Sequence, residues 1–201
     1  MPLRVVAGSV GGRRLVAPKS GTRPTADRVK EALFASLGAD RVTGASVLDL
    51  YAGSGALGIE ALSRGAASAV FVDRDRHAET AIRDNLATTG FEANATVSRA
   101  PVRKFLERTR REQAFDLVFL DPPYDIDARE FALTLRALAE PGALAPGATV
   151  VIESSRRSPP GLPEGWSVGW ERAQLGLVQV AVDEHGRGAR DRRRRHHQDI
   201  G

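Results

Sequence analysis

The chain has 201 residues, with 29 Lys and Arg against 25 Asp and Glu and a formal charge of +4, enough for one α/β domain with a sizeable core and short appendages. It has no cysteine, which excludes disulfides, thiolate metal sites and a cysteine nucleophile. No run of about 18 apolar residues occurs, and Met1-Pro2-Leu3-Arg4 lacks the apolar segment of a signal peptide, so a cytoplasmic protein without a membrane span is expected.

The charge is unevenly placed. Residues 1–30 carry seven Lys and Arg against Asp27 alone, residues 183–201 carry six Arg against four acids, and the body between them has 16 basic and 20 acidic side chains. A polyanion such as RNA would be held by the ends, with solvated surface charge as the competing reading.

In chain order, Leu3-Arg4-Val5-Val6-Ala7-Gly8 and Arg13-Arg14-Leu15-Val16-Ala17 flank Ser9-Val10-Gly11-Gly12 and predict a β-hairpin. Arg4, Arg13, Arg14 and Lys19 make it a candidate phosphate-contacting surface, one that sets register without reading bases. Thr22-Arg23-Pro24-Thr25 reads as an extended linker, because the residue before a proline is pushed out of the helical region. Thr25 is placed to cap a helix over 26–37 whose buried stripe is Val29, Leu33, Phe34 and Leu37, with Asp27, Arg28, Lys30 and Glu31 on the polar face.

Ser46-Val47-Leu48-Asp49-Leu50 is a short apolar strand, followed by Tyr51-Ala52-Gly53-Ser54-Gly55 and a helix opening at Ala56-Leu57-Gly58. Gly53, Gly55 and Gly58 satisfy the dinucleotide pattern G-x-G-x-x-G, a weak signal alone. Asp49, inside the strand, is the deciding detail: an anion gains nothing beside a pyrophosphate but suits an ammonium or sulfonium cation, which points to S-adenosylmethionine rather than NAD. Ala69-Val70-Phe71-Val72-Asp73 is a second buried strand, and Asp73 lies near the offset of a ribose-binding carboxylate.

A helix over 76–88 with Ala78, Ala81, Ile82 and Leu86 inward, a third strand over 93–98 and a helix over 102–111 follow. Phe115-Asp116-Leu117-Val118-Phe119-Leu120 is a fourth buried strand, ended by Asp121-Pro122-Pro123-Tyr124 because neither proline can donate a ladder hydrogen bond. A carboxylate, two rigid residues and an aromatic therefore sit at a strand's carboxyl end, where open α/β sheets bind ligands. A helix over 128–139, a fifth strand over 148–153 leading to Arg156 and Arg157, and a closing pair over 166–172 and 175–182 turning at Ala173-Gln174 complete the pattern. From Asp183 onward the tail is basic, lacks hydrophobic period and is expected to be disordered without RNA.

Asp49 to Gly55 resembles the cofactor loop of class I S-adenosylmethionine-dependent methyltransferases, and Asp121 to Tyr124 resembles the Asp/Asn-Pro-Pro-Tyr/Phe signature of enzymes that methylate exocyclic or amide nitrogens. With Thr22-Arg23-Pro24-Thr25 and Asp27-Arg28-Val29-Lys30-Glu31-Ala32-Leu33-Phe34, the chain over 3–155 resembles the RsmD family, which methylates N2 of a guanine in 16S ribosomal RNA. The resemblance implies a Rossmann-like class I methyltransferase fold: a seven-stranded, mostly parallel sheet in the order 3-2-1-4-5-7-6 with helices on both faces. The implied organisation is a basic N-terminal β-hairpin extension over 1–24, a methyltransferase domain over 25–182 and a basic tail over 183–201.

The resemblance makes Asp49, Tyr51, Ala52, Gly53, Gly55, Gly58 and Asp73 the S-adenosylmethionine site, and adds Arg23 and Arg28 to the arginines expected on RNA. Two departures stand out. Arg99-Ala100-Pro101 replaces the acid that relatives place against the adenine amino group, leaving that contact to backbone or to apolar neighbours such as Val102. Leu175-Gly176-Leu177-Val178 keeps only the glycine of a Tyr-Gly-x-Thr motif.

The implied partner is 16S ribosomal RNA within an assembling 30S subunit, met by a monomer with no metal. An exocyclic guanine amine is a poor nucleophile because its lone pair is delocalised into the ring. If Asp121 and the Pro122 carbonyl accept its two hydrogens, the nitrogen can pyramidalise toward the methyl donor, while Pro123 stiffens the turn and Tyr124 stacks on a flipped base. Without a cysteine, methylation of carbon 5 of a pyrimidine is disfavoured. The rivals are an adenine-N6 or protein-amide methyltransferase, an NAD-dependent oxidoreductase, and a non-catalytic RNA-binding module.

Overall fold

A computed structural model of the chain describes residues 3–19, 27–109, 114–123, 125–153, 161–172 and 177–182. In order these form α1 (Asp27–Leu37), β1 (Ser46–Leu50), α2 (Ala56–Ser63), β2 (Ser68–Asp73), α3 (Arg76–Thr89), β3 (Ala95–Arg99) and α4 (Val102–Thr109). β4 (Phe115–Leu120), α5 (Ala128–Ala139), β5 (Leu144–Glu153), β6 (Trp166–Arg172) and β7 (Leu177–Val182) follow. The strands lie in the order β3-β2-β1-β4-β5-β7-β6, with the first five parallel and the β7 and β6 pairings antiparallel. The expected α/β architecture, a largely parallel sheet between helices, is therefore what the chain forms.

Strands buried on both faces read as near-continuous apolar runs, and alternate residues of β1, β2 and β4 divide between two cores. Val47, Phe71, Leu117 and Phe119 face α1, α2 and α3, whereas Leu48, Leu50, Val70, Val72, Val118 and Leu120 face α4 and α5. No helix among the described residues is long and apolar enough to cross a membrane.

The N-terminal extension packs on the first core through Leu3, Val5 and Leu15. Arg4 and Arg14 form one antiparallel bridge, and the Val5 and Leu15 amides donate across it to Arg13 O and Leu3 O. The expected hairpin is reduced to that bridge because the intervening amides turn to α2 instead. Val6 and Ala7 donate to the Glu60 carboxylate at 2.6 and 3.0 Å, and Ser9 and Val10 donate to Ser63 O and Ser63 Oγ. Gly8 is required here: a Cβ would lie 1.9 Å from Ser63 O. Glu60 is fully buried, and Arg64 Nε at 2.8 Å completes its set of donors, as a buried charge demands.

Lys30 corrects the reading of α1. It does not sit on the polar face but is fully buried, donating Nζ to Arg4 O and lying 3.7 Å from Asp27 Oδ1. The buried stripe is Lys30, Leu33, Phe34 and Leu37, spaced i, i+3, i+4, i+7, with Val29 only partly covered. Burial pulls the Lys30 pKa down, and the charges of Glu60 and Asp27 oppose that shift.

Two element ends also differ from expectation. β3 starts at Ala95 because Glu92–Asn94 wind a 3-10 turn. β5 starts at Leu144, paired with Phe115 ahead of a register irregularity, in a stretch where Gly147 adopts φ +72°. The linker at 22–25, the turn at 173–176, residues 154–157 and the tail lie outside the described residues.

Candidate active site

The register of the five parallel strands brings five side chains to one edge of the sheet. Leu50 pairs with Val72 on one side and Leu120 on the other, Leu120 pairs with Ile152, and Asp73 pairs with Arg99. Tyr51, Asp73, Arg99, Asp121 and Glu153 are thus level at the strands' carboxyl ends. β1 and β4 are neighbours although two strands and three helices separate them in sequence, so the loop after β1 and the turn after β4 open on the same cleft. Such a reversal of strand order is where this class of sheet takes its ligand.

The loop from Tyr51 to Gly55 is held by backbone bonds: Ala52 N donates to Val72 O at 3.1 Å and Gly55 N to Ala52 O at 2.7 Å. Tyr51, Gly53 and Gly55 have φ of 60°, 56° and 74°, left-handed values that cost a tyrosine energy and a glycine almost none. The Tyr51 side chain packs on the second core, with its hydroxyl 3.4 Å from Thr134 Oγ1 on α5, and this burial raises its pKa.

Gly58 fits a tighter constraint. A Cβ there would stand 2.4 Å from the Phe71 ring and 3.1 Å from Asp49 Oδ2. The Gly58 amide donates to that same Oδ2 at 2.9 Å. Asp49 is 2% exposed, and burial raises its pKa from 3.8 to about 8, with the charges of Asp121 and Asp73 adding to the shift and the Gly58 amide opposing it. A cation placed beside this acid would favour its ionised form and bring that value down. Asp73 accepts from Gly53 N and Asp75 N, both at 2.9 Å, one on each oxygen, and each oxygen keeps a second lone pair for a ligand's hydroxyl.

Asn85 of α3, 1% exposed, joins this loop to the extension. Its Oδ1 accepts from Val16 N at 2.7 Å, and its Nδ2 donates to Val16 O and Ser54 O, both at 2.9 Å. Sequence patterning gave no warning of Asn85, Glu60 or Lys30, since a polar residue on a buried stripe is an exception to the pattern by which stripes are found.

On the β4 side, burial raises the pKa of Asp121 from 3.8 to about 6. Pro122 is partly buried and Pro123 exposed, and Ile126 N donates to Pro123 O at 3.0 Å to close the turn before Asp127 caps α5. Beside Asp121 stands Glu153, whose pKa rises to about 7 through burial and then through the Asp121 charge. Its Oε2 is buried with no hydrogen-bond partner among the described residues. Sequence reading treated Glu153 only as the end of a strand. The signal was the one that singled out Asp49, Asp73 and Asp121, an acid at or near a strand's carboxyl end.

Tyr124 and Arg23 lie outside the described residues. Arg13, Arg14 and Arg28 are exposed; Arg4 is exposed too but spends its Nε on Asp27 Oδ2 at 2.8 Å. Arg99 faces Glu79 at 3.6 Å, and Ala100 N donates to Asp73 O at 3.0 Å. Val102, expected beside the cofactor's adenine, belongs to the second core.

The family model described as Conserved hypothetical protein 95 matches residues 3–182. Ribosomal RNA small subunit methyltransferase D of Haemophilus influenzae is 38% identical, with 90% of this chain and 92% of that protein covered. The protein of the same name from Escherichia coli K12 is 39% identical over 94% of this chain and 93% of its own length. Among solved structures, yhhF from Escherichia coli is 35% identical with a TM-score of 0.79, covering 91% of this chain and 99% of that one.

Proposed function

The chain belongs to the RsmD family of methyltransferases, and on that footing we propose that it moves a methyl group from S-adenosylmethionine to the exocyclic N2 of a guanine in 16S ribosomal RNA, acting as a monomer on an assembling small subunit. The observation that carries this reading is the pairing of two acids at the switch point: Asp49, buried and fit for a cation, and Asp121, at the end of the adjacent strand.

The loop residues suit this cofactor. Asp49 offers a carboxylate that a positive ligand would ionise, Asp73 has lone pairs for two ribose hydroxyls, and Gly53 and Gly55 supply the left-handed backbone that shapes the loop around them. When bound, S-adenosylmethionine supplies an electrophilic methyl on a sulfonium leaving group. Asp121 and the Pro122 carbonyl accept the two N2 hydrogens and turn the nitrogen lone pair toward that methyl. One N2 proton would pass to Asp121, whose pKa near 6 leaves it ionised and still basic at neutral pH. Alignment supplies most of the rate. Tyr124 stacks on the extruded base, and Arg4, Arg13, Arg14, Arg23 and Arg28 contact phosphate.

The test is transfer of radiolabelled methyl to small ribosomal subunits, bare 16S RNA and duplex DNA, followed by nucleoside digestion. Label in N2-methylguanosine from subunits supports the proposal. Label in methyladenine overturns the target, and RNA binding without any transfer overturns the activity.

A further inference from the structure

We propose that Glu153 accepts the N1–H of the target guanine and is thereby the residue that selects guanine over adenine; the inference rests on the guanine-N2 reading above. Glu153 ends β5, and Leu120 pairs with Ile152 in the parallel β4–β5 ladder, so Asp121 and Glu153 are side by side on the same edge. They are close enough for the Asp121 charge to act on Glu153. The Oε2 atom of Glu153 is buried and has no hydrogen-bond donor among the described residues. Buried polar atoms are satisfied as a rule, and an orphan beside a reaction centre calls for a donor from outside the chain.

Guanine has that donor in the required place. Its Watson–Crick edge carries N1–H immediately beside the two N2 hydrogens, so Asp121 and Pro122 at the amine leave N1–H for the next acceptor along the edge. Adenine has a bare N1 lone pair there, which would face the glutamate oxygen acceptor against acceptor. A site built to receive an N–H discriminates strongly against an analogue that lacks it, because its own buried group is then left unpaired.

The discriminating probe is 2-aminopurine, which keeps the exocyclic amine and lacks N1–H. Small subunits are reconstituted from ligated 16S RNA carrying either guanosine or 2-aminopurine at the nucleotide that the wild-type protein methylates. Wild type is expected to favour guanosine by about a hundredfold in kcat/KM, the loss that follows when one buried hydrogen-bonding group is left unpaired. Glu153→Ala is expected to lose most of that ratio, slowing on guanosine while its rate on 2-aminopurine stays within about threefold. Comparing variant with wild type cancels the effect of the missing O6. Glu153→Gln, whose amide oxygen still accepts, is expected to keep the preference for guanosine.

Equal slowing of Glu153→Ala on both substrates, with the ratio intact, would assign Glu153 to the fold alone and overturn the proposal. If Glu153→Ala does not fold, a wild-type protein that treats guanosine and 2-aminopurine alike overturns it as well. Failure of the parent reading is seen separately, as wild-type label in a nucleoside other than N2-methylguanosine.

Discussion

Replacing Asp49 by Asn is expected to make the cofactor-free protein more stable at alkaline pH while it loses its cofactor. Asp49 is 2% exposed and its pKa is raised from 3.8 to about 8, burial being the first cause. Because the folded-state value is the higher one, the unfolded chain releases the proton first. The stability held below about pH 4 is therefore lost steadily as pH rises and is gone above about pH 8. At about 1.4 kcal/mol per unit, the ionised carboxylate costs the fold on the order of 5 kcal/mol at pH 8. An Asn cannot ionise, and its oxygen still accepts from Gly58 N, while about 1–3 kcal/mol is set against it for burying an NH2 donor. The net gain is about 2–4 kcal/mol at pH 8, shrinking to near zero at pH 5. Urea unfolding of both proteins across this range, without cofactor, measures the difference; calorimetry with S-adenosylmethionine should show affinity at least tenfold weaker, since one decade is only about 1.4 kcal/mol. Parallel stability curves for the two proteins, or undiminished binding by the variant, would refute the reasoning.

Asp121→Ala is expected to abolish methyl transfer while cofactor affinity stays within about threefold, because the proposed reading places Asp121 at the acceptor nitrogen; wild-type-like turnover removes it from the mechanism. In the unaltered protein kcat should fall as pH drops through about 6, where Asp121 takes up a proton, and a rate flat down to pH 5 contradicts that role. Gly58→Ala drives a methyl into the fully buried Phe71 ring, costing about 1–3 kcal/mol of overpacking less roughly 1 kcal/mol of helix propensity; a urea midpoint at or above wild type would show that Phe71 yields freely. Arg13→Ala with Arg14→Ala should lower the slope of log affinity for 16S RNA against log salt by about 1.5, and an unchanged slope places these arginines off the RNA.

Elements with a strong period were legible from the residues alone. α5 was placed at its observed ends because Phe131, Leu135 and Leu138 repeat at helical spacing, and β1 and β4 likewise, with β2 one residue short at its start, because apolar runs stop at Gly, Asp or Pro. Lys30 was not legible: its burial depends on Arg4 O and Glu60, set by an extension 26 residues upstream and a helix 30 residues downstream. Glu153 was missed for a related reason. Its significance comes from the parallel pairing of β5 with β4, a non-local relation that no window of sequence contains. Asp49 and Asp121 were found because each stands beside a glycine-rich or proline-rich turn that advertises it, and Asp73 because it ends an apolar strand at a fixed offset from the glycine loop.

Asn85 makes the basic extension inseparable from the catalytic body. Its one amide clasps Val16 by both backbone groups and Ser54 by a third bond, and Glu60 likewise takes two of its three donors from Val6 and Ala7. A chain trimmed to begin at residue 25 would leave a buried carboxylate and a buried amide short of partners on both sides of the glycine loop. Such trimming is expected to cost cofactor affinity as well as RNA affinity. On the proposed reading, the same clasp would carry a pull by RNA on the extension through Asn85 to Ser54 of the glycine loop.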